Sequence, residues 1–147
     1  VASRGLGDVY KRQKYERMGL RDLCQHIHAL YAKYDIARLT TDMYLSDLTP
    51  AMTPADAYAQ IARRKTERVA IDELEGRITV GLVTPYPPGI PLLVPGEVFN
   101  KKIVDYLKFS REFNLQCPGF ETDIHGLVEE KGEDNVKRYY ADCVRVD

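Results

Sequence analysis

Glu121, Asp123 and His125, each separated from the next by one residue, are the first place where this sequence could do chemistry. Alternate residues of an extended strand point to the same face, so two carboxylates and an imidazole would share one surface. Such a trio suits acid–base work or a cation site. It also suits a surface loop whose polar groups hydrogen-bond among themselves, and that simpler reading is preferred. Cys24 and His28 stand one helical turn apart with His26 between them. A zinc site needs four ligands, or three and a water, so Cys24 is expected in the core and no metal is assigned. Cys117 or Cys143 could pair with His125 as nucleophile and base. Cys117, however, follows a helix, where no helix N-terminus lowers its pKa, and Cys143 fits a strand face. Neither GxGxxG nor GxxxxGK[ST] occurs, so no phosphate loop is expected. No catalytic, cofactor-binding or metal-ligating residue is assigned.

These residues need elements to hold them, and hydrophobic periodicity supplies candidates. Leu20, Leu23, Cys24, Ile27, Leu30, Tyr31 and Tyr34 form one stripe with a period near 3.6, predicting an amphipathic helix. A second helix is expected over 35–48 with Ile36, Leu39 and Met43 inward. A third opens at Thr53 with Pro54 in its first turn and Asp56 favourable to the dipole. Tyr58, Ile61 and Ala62 are its expected inner face, and Arg63, Arg64 and Lys65 form a solvated basic end. A helical turn at 71–75 stopped by Gly76 precedes a strand over 77–84, with Ile78, Val80 and Leu82 alternating. Asn100 caps a long helix to about Leu115 along Phe99, Ile103, Tyr106, Leu107, Ser110 and Phe113. A hairpin loop near 131–135 leads into a closing strand with Tyr139, Ala141 and Cys143 on one side.

Five prolines fall within 84–97: Pro85, Pro87, Pro88, Pro91 and Pro95. Proline fixes φ and removes a donor, so this stretch is neither helix nor central strand. Ile90, Leu92, Leu93 and Val94 are too apolar for a disordered linker, so a rigid, buried connector containing a short strand is expected. The sum is an α+β fold: helices in the N-terminal half, then a small sheet with the proline-rich connector and a C-terminal hairpin.

The chain has 147 residues, enough for one domain, with 44% hydrophobic residues for a core and 29% charged for a surface. A net charge of −1 gives no footprint for nucleic acid or anionic membrane. No apolar run approaches the ~20 residues of a membrane-spanning helix. Three scattered cysteines fit a reducing cytoplasm better than a disulfide framework. Residues 1–13 follow neither period and resemble a translated sequencing adapter. They are read as a non-native or disordered tail, leaving 14–147 as the domain.

Two motifs carry a resemblance. Pro85-Tyr86-Pro87-Pro88-Gly89-Ile90-Pro91, followed by Pro95-Gly96-Glu97, is similar to a hallmark of the C-terminal domain of bacterial ornithine/lysine/arginine decarboxylases. Pro118-Gly119-Phe120-Glu121-Thr122-Asp123-Ile124-His125-Gly126 resembles a second motif of that family. Gly19 to Cys24 and Leu48 to Tyr58 match in order, so the resemblance runs from about Lys14 to Asp147. It implies a piece of a longer pyridoxal-phosphate enzyme that decarboxylates a basic amino acid in the cytoplasm. The cofactor would be held by a lysine in a Ser-x-His-Lys context within a preceding catalytic domain, and this chain has no such motif. The domain would pack beside its own catalytic domain near the substrate channel, in a dimer or larger homo-oligomer. Tyr86, Glu97, Glu121 and Asp123 are the candidates for lining that channel. The carboxylates would attract a cationic substrate, or Glu97 would instead pair near the next helix start. The string from Glu121 to Gly126 leans towards lysine or arginine as substrate rather than ornithine. The alternative is a free-standing binding or regulatory module that reuses the domain.

Overall fold

Helices form first along the chain and strands close over them. The structure, a computed structural model, describes residues 15, 17–132 and 136–146. The expectation for residues 1–13 falls outside that set. Helix α1 (Leu20–Tyr34) and α2 (Ile36–Tyr44) are joined at Asp35, whose φ of 48° reverses the chain. Only the end of the α1 stripe is covered. Leu30 is buried, and Tyr31 and Tyr34 pack edge-on or tilted against Phe109 and Phe113. Leu20 is 78% exposed and Cys24 is exposed, so the expected core position of Cys24 is corrected. The periodicity is a true helix signal, but among the described residues no element covers the first turns.

Helix α3 (Pro54–Ala62) begins as expected: the Thr53 Oγ1 accepts a hydrogen bond from the Asp56 amide at 3.2 Å. Its inward face differs. Ala57 is fully buried, while Tyr58 and Ile61 stand 70% and 43% exposed. Apolar residues occupy Ala55, Ala57, Tyr58, Ala59, Ile61 and Ala62, so periodicity singles out no face of so short a helix. The basic run starts just past the helix, with Arg64 in the left-handed region at φ 56°.

Helix α4 (Lys101–Gln116) is the core's spine. Asn100 Oδ1 accepts from the Ile103 amide at 2.9 Å, capping a free helical donor. All six expected stripe residues, from Phe99 to Phe113, are buried. Ile71, Leu74, Val83, Leu92 and Leu93 join them in one cluster.

Strand β1 (Thr66–Ala70), which alternation did not reveal, pairs antiparallel with β5 (Lys137–Val144), and β5 pairs with β4 (Leu127–Lys131). The order is β1-β5-β4, so the last strand is central. Arg68 spans the outer face, bonding Asp142 on β5 at 3.2 Å and, across that strand, Glu130 on β4 at 2.6 Å. That cross-strand charge pattern explains a strand made mostly of polar residues. A 3-10 turn (Ile71–Glu73) follows β1.

The strand expected over 77–84 is not continuous. Ile78, Thr79 and Val83 make isolated bridges to Val98, Cys143 and Leu93. Between them the Thr79 hydroxyl, in a buried residue, bonds both the amide and the carbonyl of Gly81, folding a turn into the run. Val80 and Val83 are therefore buried and Leu82 is 47% exposed, which breaks the expected alternation. A short strand β2 (Thr84–Tyr86) forms instead and pairs antiparallel with β3 (Asp123–His125).

The proline-rich connector is buried only at its base. Leu92 and Leu93 are 3% and 0% exposed, whereas Tyr86 and Ile90 near its tip are 60% and 52% exposed. Gly96 closes it at φ 95°, where a Cβ would meet the Met52 carbonyl oxygen at 2.3 Å. Among the described residues no helix is long and apolar enough to cross a membrane.

Candidate functional site

The β2–β3 pairing sets Tyr86 opposite Asp123. Ile124 is buried beneath, so Asp123 and His125 share the outer face as their spacing implied. His125 Nε2 lies 3.5 Å from Asp123 Oδ2, and its ring meets Tyr86 nearly perpendicularly at 6.4 Å between centroids. Glu121 lies just before β3, with Oε2 accepting from the Gly119 amide at 2.7 Å. Asn114 on α4 pins this segment: its Oδ1 accepts from the Thr122 amide and its Nδ2 donates to the Thr122 carbonyl, both at 2.9 Å. Gly126 then turns the chain at φ 93°, pressed so close to Leu82 that a Cβ would lie 2.2 Å from the Leu82 carbonyl oxygen.

Glu97 is held elsewhere. Its Oε2 accepts from the Val94 amide at 2.8 Å and its carbonyl from the Thr79 amide at 3.0 Å, closing the turn through Pro95 and Gly96. Of the four channel candidates, the structure joins Tyr86 to Asp123 along one edge and sets Glu121 and Asp123 on one pocket. Glu97 does not line that pocket.

The pocket measures about 330 Å³ and lies between α4 and strands β3, β4 and β5. Leu107, Ile124 and Leu127 give it apolar surface. Its two cationic side chains are already engaged. Arg111 grips Asp72 with two bonds of 2.6 and 3.1 Å, and Lys137 meets Glu129 at 3.0 Å. The Arg111 guanidinium holds the Asp72 carboxyl below the usual carboxylate range, and Glu129 raises the Lys137 ammonium above its own. Among the described residues no lysine or arginine pairs with Glu121 or Asp123 at salt-bridge distance, although Glu121 adds to the field that raises the Lys137 ammonium, and with Glu129 the pocket lining carries three carboxylates against two cations.

Burial pushes the Cys143 thiol up to about 12, so at neutral pH it is no nucleophile. Cys117 is fully buried as well. Among the described residues, no three of His, Cys, Asp and Glu gather as a metal centre requires. Sequence reading passed over Asn114 and Arg111, and named Tyr139 only as a strand-face residue. Asn114 and Thr122 are eight residues apart across a turn, a spacing that matches no helix or strand period.

Residues 37–145 match the family model of the Orn/Lys/Arg decarboxylase C-terminal domain. Lysine decarboxylase LdcA of Pseudomonas aeruginosa is 40% identical over 136 residues, covering 90% of this chain and 18% of the relative. The constitutive lysine and ornithine decarboxylases of Escherichia coli are each 36% identical, over 90% and 92% of this chain and 19% and 20% of their own lengths. The solved structure of the E. coli constitutive lysine decarboxylase superposes with a TM-score of 0.80 at 33% identity, covering 92% of this chain and 19% of that one. The chain belongs to the Orn/Lys/Arg decarboxylase C-terminal domain family. It spans about a fifth of the length of the curated relatives it matches.

Proposed function

We propose that residues 14–147 form the C-terminal domain of a cytoplasmic, pyridoxal-phosphate-dependent decarboxylase of a basic amino acid, with lysine favoured. The observation that carries this reading is the unbroken family match over 37–145. Two lysine decarboxylases among the similar proteins support the substrate preference. The cofactor requires a lysine for its Schiff base in an enclosed site. None of the described lysines is buried, so this chain's residues do not fit that group and no cofactor contact is assigned to them. The catalytic lysine belongs to a preceding domain of the same enzyme. Exposed Leu82, Tyr86 and Ile90 around the connector tip are the apolar surface on which that domain packs.

Within such an enzyme, Glu121 and Asp123 flank the approach to the channel and raise the local concentration of a cationic substrate. The test uses the full-length decarboxylase carrying this domain. Glu121→Gln together with Asp123→Asn should lower kcat/KM for lysine severalfold at low ionic strength. Most of the loss should appear in KM, and it should shrink as salt screens the carboxylates. A kcat/KM unchanged at every salt concentration would overturn the assignment.

A further inference from the structure

Helix α1 is covered at one end only. Ile27, Leu30 and Tyr34 of its apolar stripe pack on the core, while Leu20 and Cys24 at the other end stand exposed. The bare turns are nonetheless formed helix: Asp22 Oδ2 reaches back to accept from the Gly19 amide at 3.2 Å, as in a capping box. Arg21, Gln25, His28 and Lys33 already give α1 a solvated face. A short amphipathic helix draws most of its stability from packing the opposite face. Two observations point to what covers the rest of the stripe. The family match begins at residue 37, after α1, whereas similarity to the Pseudomonas relative covers 90% of this chain and so takes in the helix. Helix α1 is thus shared with the longer enzymes but lies outside the domain that the family match delimits. The chain also enters this domain close by. Tyr15, five residues before α1, meets Phe120 edge-on at 6.1 Å between ring centroids.

We propose that α1 is a splint shared by two domains. Its last turns are built into this core, and its first turns, through Leu20, Leu23 and Cys24, dock on an apolar surface of the domain that precedes it in the same chain. This rests on reading the chain as the C-terminal part of a longer enzyme. It adds to the connector tip a second contact, carried by a different element. The preceding domain is tethered within a few residues of Leu20, which gives it an effective concentration that a free partner does not reach.

Cys24 is a native probe of that contact. In the full-length enzyme carrying this domain, N-ethylmaleimide labelling is read by mass spectrometry on the tryptic peptide 22–33. Cys24 should react roughly a hundredfold more slowly in the native enzyme than after unfolding in urea. A thiol moved to the solvated face, by Cys24→Ser with Gln25→Cys, should react close to the unfolded rate. Leu20→Asp puts a carboxylate into the apolar contact and should speed Cys24 labelling about tenfold. The buried Cys117 and Cys143 should stay unmodified in that variant, which shows this domain still folded. Leu20→Ala replaces it if the charge unfolds the domain. Native Cys24 reacting at the unfolded rate, or protection indifferent to the change at Leu20, would overturn the proposal. Protection lost on dilution would overturn it too, by assigning the stripe to a second copy. Carbon dioxide release from lysine tests the decarboxylase reading separately, and the labelling result stands whichever way that falls.

Discussion

Asp72 ties the turn after β1 to α4 through its paired bonds to Arg111, with Lys108 at 3.9 Å as a second cation. Because the folded pKa lies below the unfolded value of about 3.9, this carboxylate stabilises the fold fully above that pH. The contribution fades as pH falls through the folded pKa. Asp72→Asn should therefore cost at most about 1 kcal/mol at pH 7, since the pair is half exposed and screened. Urea melts from pH 7 down to pH 3 should show the wild-type advantage disappearing at the acid end. Gly126 is a sharper constraint. Gly126→Ala brings a Cβ against the Leu82 carbonyl at a positive φ, and should cost roughly 2–3 kcal/mol. A thermal melt unchanged from wild type would show that the β3 turn is not so tightly placed.

Asn100 works at the level of the element. Its Oδ1 caps α4 while its Nδ2 donates to Ser46 Oγ at 2.9 Å and the Asp47 carbonyl at 3.3 Å, joining the helix start to the segment after α2. Asn100→Ala should cost about 1–2 kcal/mol, and Asn100→Asp, which keeps the cap acceptor but loses the two donated bonds, should fall between. Chemical denaturation of the three proteins orders them. This helix was legible in the sequence because cap, stripe and length all agree and its stripe is covered along its whole length. Helix α1 shows the limit of that signal: periodicity locates a helix, but burial needs a neighbour, and Leu20 and Cys24 stand exposed. Within 77–84 a single hydroxyl, that of Thr79, was enough to turn an alternating run into bridges and a bend. Strand β1 was hidden because what holds it, the ladder to β5 and the charges meeting across β5 and β4, joins residues far apart in the chain and leaves no local pattern. The edge holding Asp123 and His125 could be read from spacing, whereas the pocket could not, because Ser110 looks like one more stripe residue until β3 is placed opposite it.

At the scale of the molecule, α4 and the two small sheets make one core, and the chain spans about a fifth of the length of the decarboxylases it resembles, with the catalytic chemistry proposed to lie outside it. The 147-residue chain supplied with pyridoxal phosphate should release no carbon dioxide from lysine, arginine or ornithine. Release from any of the three would show that the active site had been placed wrongly. Sedimentation should show concentration-dependent self-association through the bared surface around Leu82, Tyr86 and Ile90. The sheet order has a consequence for how the protein is made. Strand β1 leaves the ribosome well before the strand that pairs with it: 74 residues separate Arg68 from its partner Asp142. A nascent chain halted before Lys137 carries β1 and β4 with no central strand between them, two unpaired edges open to any other strand. Translation through the final strand is what closes the sheet, so errors of synthesis late in this domain cost it as much order as errors in its core.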